Sequence, residues 1–155
     1  MKIVKLKDLS KQNQLLLREA EKALKNAYAP YSCFRVGAAL LAKKKNKHRI
    51  FTGVNVETAT FSSICAERIA IGNAVSAGYK NFLTIALIGR GKLKIEKPLV
   101  PCGPCRQMLY EFCSQNPEKL RLICSNSDKT KILLCTLAEL LPLGFGPADL
   151  LGKKN

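Results

Sequence analysis

Two short cysteine-containing stretches dominate the chemistry of this chain. The first, at residues 65–68, is Cys-Ala-Glu-Arg, and the second, at residues 101–106, is Pro-Cys-Gly-Pro-Cys-Arg. Three sulfur ligands with a fourth position left open are typical of a catalytic zinc site, whereas four protein ligands usually close a structural one. The sequence therefore predicts that Cys65, Cys102 and Cys105 bind Zn²⁺, with one ion per subunit.

The spacing of these cysteines predicts how helices would carry them. Cys102 and Cys105 are three residues apart, which places them on one face of a helix whose first turn would face the core. Cys65 opens a second helical run that ends at Gly78. Two helix N-termini would then meet at the thiols, and their positive dipole ends would lower the thiol pKa values. A lone Cys-x-x-Cys is also typical of a redox pair, but the other stretch favours zinc.

Length and composition predict a single domain over residues 1–155. The chain is 47% hydrophobic and 24% charged, which is ordinary for a globular protein. Its longest apolar runs, such as residues 83–88, are too short to span a bilayer. The first five residues turn polar at once, unlike a secretory signal, so we expect a cytoplasmic protein with no membrane partner.

The cysteine count argues against a disulfide framework. The chain has seven cysteines, an odd number, and three of them already have a use in the metal site. The other four sit in apolar surroundings and are expected to be free thiols that behave as small buried hydrophobes. These four are Cys33, Cys113, Cys124 and Cys135.

The order of the predicted elements indicates an α/β fold. An amphipathic helix, capped by Asp8 or Ser10, precedes two strands joined by a lysine-rich turn. Alternating helices and strands follow, and a terminal helix ends the chain. This order predicts a three-layer α/β/α sandwich with one mixed sheet of about five strands. The predicted helices cover residues 8–27, 65–78 and 102–113, and the predicted strands cover residues 36–42, 49–54, 83–89, 120–124 and 132–135.

The net charge of +15, from 26 basic and 11 acidic residues, raises the question of a nucleic-acid partner. The lysines are spread from Lys2 to Lys154, and no aromatic residues interleave with them as a platform for single strands requires. The pattern therefore favours a solvated, lysine-rich surface over nucleic-acid binding. His48 lies within the charge run at residues 43–48 and is expected to be exposed, with no ligand role.

A polar pair ends the second predicted strand. Asn55 and Glu57 point to the same side because side chains alternate along a strand. Both can make directional hydrogen bonds, and Glu57 can accept from two hydroxyl groups. On spacing alone, a ligand contact and an ordinary polar strand end both remain open.

These motifs resemble those of the homotetrameric, zinc-dependent cytidine deaminases. The similarity extends from about residue 28 to residue 150 and includes Ala-Tyr-Ala-Pro-Tyr-Ser at 27–32, Gly-Val-Asn-Val-Glu at 53–57 and Leu-Leu-Pro-Leu-Gly-Phe-Gly-Pro at 140–147. The resemblance implies hydrolytic deamination of cytidine and 2′-deoxycytidine to uridine and 2′-deoxyuridine, with release of ammonia, by a homotetramer. Thr58 and residues 60–63 depart from the family pattern and leave the fine substrate preference open.

The resemblance implies that Glu67 is the catalytic acid–base. It would move a proton from the attacking water to N3 of cytosine and then to the departing amino group. Three thiolates around a divalent cation leave a net negative charge, which would make the water less acidic. Arg68, beside Glu67, could hydrogen-bond the sulfurs and withdraw that charge, or it could be an ordinary surface ion-pair partner.

The same resemblance implies a set of substrate contacts. Asn55 and Glu57 would hold the ribose hydroxyls, Phe34 would pack against the base, and Ala66 would also touch the substrate. Phe145 would reach across a subunit boundary and help to close a neighbour's pocket.

Two other functions remain open on the sequence. The same scaffold could deaminate a cytosine-containing antibiotic such as blasticidin S. A catalytically silent zinc fold could instead bind RNA through its positive surface, but such a fold would lack Glu67 or close the fourth ligand position, and the sequence does neither.

Overall fold

A mixed sheet of six strands organises the fold in this computed structural model, which describes residues 1–60, 62–113 and 116–152. The strands lie in the order β1-β6-β5-β4-β2-β3. The β4–β5 pair is parallel and the other pairs are antiparallel. The strands are β1 (Lys2–Val4), β2 (Arg35–Lys44), β3 (Lys47–Val54), β4 (Asn81–Arg90), β5 (Arg121–Ser125) and β6 (Ile132–Thr136).

Helices cover both faces of this sheet. The α-helices are α1 (Lys11–Leu24), α2 (Ala66–Ser76), α3 (Gly103–Glu111), α4 (Leu137–Leu140) and α5 (Pro147–Leu151). One buried cluster joins α2 and α3 to one face of the sheet, and a second cluster joins α1 to the other face. The predicted three-layer α/β/α sandwich is therefore confirmed. No helix among the described residues is both long enough and apolar enough to cross a membrane.

The sixth strand is the part of the sheet that the sequence pattern did not predict. β1 has three residues and pairs with β6 through Ile3 and Leu133. Only Val4 of the strand is buried. A strand this short carries no alternation that distinguishes it from a loop, so the expected count of about five strands was one too low.

The N-terminal helix is shorter than predicted because its cap lies at Ser10. The Ser10 hydroxyl accepts a hydrogen bond from the Asn13 amide at 3.3 Å, so the helix begins at Lys11. Leu16, Leu17 and Ala20 then point into the core at helical spacing. Asp8, the alternative cap, belongs to a short 3₁₀ helix at Leu6–Asp8.

A glycine lets α2 approach the sheet closely. A Cβ atom at Gly53 would lie 2.2 Å from the Ala66 carbonyl oxygen and 2.5 Å from the Ala70 amide nitrogen. Ala66, Ala70 and Ala74 are fully buried on this side of the helix. This alanine face therefore packs within the chain, against β3, and the close packing fixes the height of the first turn of α2 above the sheet.

Candidate zinc site and substrate pocket

Three thiols converge where α2 and α3 begin. Cys65 and Cys102 are the residues that immediately precede these helices, and Cys105 lies in the first turn of α3. Their sulfur atoms all lie within 4.8 Å of one another, and the Cys65 and Cys102 sulfurs are 3.7 Å apart. Zinc–sulfur bonds of about 2.3 Å in a tetrahedron place two sulfurs roughly 3.8 Å apart. One sulfur pair is therefore already at the spacing of two zinc ligands, and the third sulfur is close enough to bind the same ion.

The two cysteines of the second motif do not share one environment. Cys105 is buried, whereas Cys102 is exposed and precedes the helix instead of lying on its inward face. The expectation that both point into the core was wrong for Cys102, because the chain enters α3 in an extended conformation at that residue. This placement brings the Cys102 sulfur toward Cys65 at the rim of the cluster.

The surroundings of Cys65 favour its thiolate form. Hydrogen bonds from the Cys105 and Cys102 thiols, with a smaller effect of the Arg68 charge, lower the pKa of Cys65 from 9.0 to about 6. The hydrogen bond to Cys65 and burial raise the pKa of Cys105. Metal ligation requires deprotonated sulfur, so Cys65 supplies the first anionic ligand and the remaining protons leave as a cation binds.

Glu67 is the buried carboxylate of the site. It lies in the first turn of α2 and only 5% of its surface is exposed. Burial raises its pKa, and the neighbouring Cys65 acts in the same direction. A carboxylate with a raised pKa can both accept and release a proton near neutral pH, which is what a general acid–base requires.

A cavity of about 240 Å³ opens beside the thiols. It brings together the predicted metal ligands Cys65 and Cys102, the predicted acid–base Glu67, and four of the five predicted substrate contacts. These four contacts are Phe34, Asn55, Glu57 and Ala66. The sequence motifs, which are spread over nearly 70 positions, therefore line one pocket.

Three predicted site residues do not line this cavity: Cys105, which is buried in the thiol cluster, Phe145 and Arg68. Phe145 is 59% exposed, and its backbone carbonyl accepts a hydrogen bond from the Gln107 side chain at 2.7 Å. Arg68 is exposed on α2, where its charge acts on Cys65 from outside the cavity.

Asn55 and Glu57 also brace the loop that carries Phe34. The Asn55 side chain accepts from the Val36 amide at 2.7 Å and donates to the Phe34 carbonyl at 2.8 Å. The Glu57 carboxylate accepts from the Tyr31 amide at 2.9 Å and from both the amide and the hydroxyl of Ser32. These bonds lower the pKa of Glu57, the Ser32 hydroxyl first among them.

Sequence reasoning missed the part played by Ser32. Its hydroxyl donates to Glu57 and accepts from the Phe34 amide at 2.9 Å, so it connects two residues of the cavity wall. The signal was present, because serine in a proline-containing loop commonly bonds to nearby backbone.

Other cavity residues lie in segments for which the sequence predicted no contact with the substrate. Leu99 and Val100 form one wall, and Ser63 and Ile64 form another. Leu99 is fixed by a hydrogen bond from its amide to the Ser125 carbonyl at 3.1 Å. Of the divergent segment at residues 60–63, Phe61 lies outside the described residues.

A second missed residue is Arg106, at the end of the second cysteine motif. Its guanidinium donates to the Pro101 carbonyl and to the Leu140 carbonyl, each at 2.8 Å. It thereby ties the start of α3 to the loop before it and to α4. Arg106 supports the position of Cys102 and Cys105 through the backbone, a role that residue type alone does not reveal.

The remaining cysteines and the histidine behave largely as expected. All seven cysteines are free thiols. Cys124 and Cys135 are buried, whereas Cys33 and Cys113 are only half-buried. His48 is exposed in the hairpin between β2 and β3.

Comparison with known proteins places these features in a family. The sequence profile of the cytidine and deoxycytidylate deaminase zinc-binding region matches residues 10–117, a span that holds all three cysteines and Glu67. A cytidine deaminase from Sporosarcina psychrophila is 40% identical over 137 residues, which cover 87% of this chain and 92% of the relative. The chain belongs to the cytidine deaminase family. A cytidine deaminase from Halalkalibacterium halodurans is 38% identical over 138 residues, covering 88% of this chain and 96% of that protein.

Solved structures of the family share the fold described above. The crystal structure of cytidine deaminase from Burkholderia pseudomallei matches with a TM-score of 0.74 and 35% identity, covering 88% of this chain and all of that one. Cytidine deaminase from Mycobacterium tuberculosis matches with a TM-score of 0.68 and 31% identity, covering 90% of this chain and all of that one. The zinc-binding description of the family agrees with the three-sulfur cluster found here.

Proposed function

We propose that this protein catalyses the zinc-dependent hydrolytic deamination of cytidine and 2′-deoxycytidine to uridine and 2′-deoxyuridine, with release of ammonia. The observation that carries the proposal is the meeting of three sulfurs within 4.8 Å beside a cavity whose wall contains the buried Glu67. The relatives named cytidine deaminases support the substrate class.

Cys65, Cys102 and Cys105 would hold the zinc ion beside the cavity. When bound, zinc supplies a Lewis acid that makes a water molecule acidic enough to act as a nucleophile at neutral pH. Three thiolates outweigh the charge of the ion by one unit. The N-termini of α2 and α3 offset this excess, because their free amides and dipoles favour negative charge.

Arg68 would contribute to the same balance. Its charge already lowers the pKa of Cys65, although its side chain is exposed to solvent. A cation beside a ligating sulfur draws electron density from that sulfur and tunes the acidity of the site.

Glu67 would carry the protons of the reaction. It takes one proton from the attacking water and delivers it to N3 of the pyrimidine while the water oxygen bonds to C4. It takes the second proton of that oxygen as the C4 carbonyl forms, and transfers it to the amino group, so that the C4–N bond breaks and ammonia leaves. Positioned acid–base transfer of this kind typically contributes roughly 10²–10⁴-fold.

The cavity walls would position the nucleoside. Phe34 offers an aromatic face for the base, and Ala66 lets the base approach the start of α2. Asn55 and Glu57 face the same cavity, and each retains acceptor or donor capacity beyond its bonds to the loop, so they would bind the ribose hydroxyls.

Phe145 would complete the pocket of a neighbouring subunit in a homotetramer. It is exposed, as are Leu143, Leu150 and Leu151 near it in sequence, and exposed large apolar side chains of this kind support a protein–protein contact. We also propose that residues 1–155 form one domain that functions in the cytoplasm. The seven free thiols support that location, because reducing compartments keep cysteines unpaired.

Neither an antibiotic substrate nor a catalytically silent zinc fold gains support from the structure or the relatives. No contact of the cavity favours an antibiotic substrate, and the buried Glu67 beside the cluster argues against a catalytically silent zinc fold.

A spectrophotometric assay of cytidine conversion to uridine tests the proposal. Activity is expected in the zinc-loaded protein, to be lost after treatment with a chelator, and to return when zinc is restored. Full activity in protein shown by metal analysis to contain no zinc would contradict it.

A further inference from the structure

The lysine-rich hairpin between β2 and β3 lies at the opposite end of the sheet from the thiol cluster. β2 begins beside the substrate cavity, which Val36 lines, and runs ten residues, Arg35–Lys44, to the hairpin. At about 3.3 Å per residue, the hairpin lies roughly 30 Å from that cavity. The deamination proposed above uses no residue at this end of the molecule.

A second and larger cavity opens at the hairpin. It has a volume of about 510 Å³ and is lined by Lys44, Lys45, Asn46, Lys47 and Tyr79. The hairpin supplies three ammonium groups and an amide, and the segment after α2 supplies the aromatic ring. No aromatic residue lies among these lysines in the sequence, but the fold places Tyr79 beside them.

The ring of Tyr79 is held in place by its neighbours. It meets Phe51 edge to face, with centroids 5.1 Å apart, and Arg49 lies 5.0 Å from the Phe51 centroid. On the cavity side, the Lys44 ammonium lies 5.8 Å from the Tyr79 centroid and 3.5 Å from the Ala77 carbonyl at the end of α2. The Lys44 ammonium therefore lies beside the Tyr79 ring and adds positive charge to the same cavity.

No carboxylate balances the hairpin charge within residues 1–60, 62–113 and 116–152. Lys44, Lys45 and Lys47 are exposed and form no ion pair with any of these residues. Unbalanced positive charge around a cavity concentrates anions there. Lys45 also has a φ of 53°, a region that favours glycine, so the turn itself does not require lysine at this position.

We propose that the hairpin cavity binds single-stranded nucleic acid, with a base stacked on Tyr79 and phosphates bound by Lys44, Lys45 and Lys47. An aromatic ring within a basic groove is the combination that binds single strands without sequence preference. This binding is additional to deamination and occurs at a separate site. A lipid surface fits less well, because residues 43–49 expose no large apolar side chain that could insert.

Fluorescence anisotropy with a labelled 12-nucleotide oligouridine tests the proposal on the full chain. The probe contains no cytosine, so it cannot be a substrate for deamination. Three neutralised phosphates predict a slope of about −2 for log affinity against log salt concentration. Inorganic polyphosphate and anionic phospholipid vesicles serve as competitors. Polyphosphate or vesicles that compete as well as unlabelled oligouridine would overturn the proposal.

Variants then locate the binding. Lys45→Gly combined with Lys47→Gln removes two charges while suiting the turn, and it is expected to weaken binding at least tenfold and to flatten the salt slope by about 1.4. Tyr79→Leu keeps apolar bulk but loses the stacking face, and it is expected to weaken binding about fivefold or more without changing the slope.

The matched control removes two exposed lysines far from the hairpin, Lys25→Gln and Lys92→Gln. It is expected to bind oligouridine within twofold of the unchanged protein. All variants are expected to retain cytidine deamination, which reports that they fold. A control that loses as much affinity as the hairpin variant, or a Tyr79→Leu protein that is active and binds normally, would overturn the proposal.

Discussion

The two ends of β2 differ in how their surroundings hold the nearby side chains. At its first residues, the side chains beside the substrate cavity are tied to backbone atoms: Asn55 bonds to the Phe34 and Val36 peptides, and Glu57 bonds to the loop at Ser32. At its far end, Lys45 and Lys47 project into solvent. Catalysis depends on atoms placed to within a fraction of an ångström, whereas attraction of an anion depends mainly on the amount of charge. The comparison predicts that small substitutions beside the substrate cavity alter cytidine deamination, whereas small substitutions at the hairpin leave it unchanged.

The largest effect is expected from removing a metal ligand. Cys102→Ala leaves two sulfurs for the ion, so the protein is expected to lose stoichiometric zinc and all measurable activity. Metal analysis and the cytidine assay check both. The matched control is Cys113→Ala, since burial raises the pKa of Cys113 to about 11 and keeps it a thiol. Tight zinc in Cys102→Ala would contradict the ligand assignment.

The next largest loss of activity is expected from substitution of Glu67, the proposed acid–base. Glu67→Gln keeps the shape of the side chain but cannot move protons, so the kcat is expected to fall by roughly 10²–10⁴-fold while zinc content and fold are retained. Glu118→Gln, an exposed carboxylate outside the cavity, is the control. A Glu67→Gln enzyme with a near-normal rate would remove this residue from the mechanism.

A third effect tests how closely the site depends on the sheet beneath it. Gly53→Ala would drive a Cβ atom against the backbone of α2, so it is expected to cost about 1–3 kcal/mol of stability and to weaken zinc binding. Gly103→Ala is the control, because a Cβ there meets nothing within 4 Å. Thermal unfolding and zinc titration measure the two consequences, and equal behaviour of the two variants would refute the close-packing argument.

The smallest of these effects is expected at Ser32. Ser32→Ala removes a hydrogen bond to a charged carboxylate, so the KM for cytidine is expected to rise roughly tenfold with kcat little changed. Ser32→Thr keeps the hydroxyl and is expected to restore most of the loss. If Ser32→Ala lowered only the melting temperature and left KM unchanged, the residue would act in folding alone.

The cysteine motifs predicted that three thiols lie together, because the spacing of possible metal ligands is visible in short stretches of sequence. Cys65, Cys102 and Cys105 could be chosen from residue type and spacing, and the helices they begin followed from the same stretches. The three layers followed from the alternation of apolar segments. The exposure of Cys102 could not be predicted, because it depends on the backbone angle at which the chain enters α3.

Contacts between distant segments were beyond the sequence alone. β1 is too short to carry a pattern and exists because it pairs with β6. Tyr79 lies beside the hairpin because α2 packs on β3, and the loop that brings Leu99 to the cavity is held by hydrogen bonds to Ser125 and Ser127. Each of these depends on register and loop path, which one sequence without its structure does not specify.

The position of the thiols at the starts of two helices has a consequence for the maturation of the protein. Cys65 and Cys102 are 37 residues apart in sequence, and the whole of β4 lies between them. An ion held by both closes this stretch into a ring, as a cross-link would, and stabilises only chains in which that strand has already taken its place. Zinc binding would then select for chains in which this stretch is folded. Zinc-bound molecules are expected to resist proteolytic cleavage between the two helices far longer than zinc-free ones.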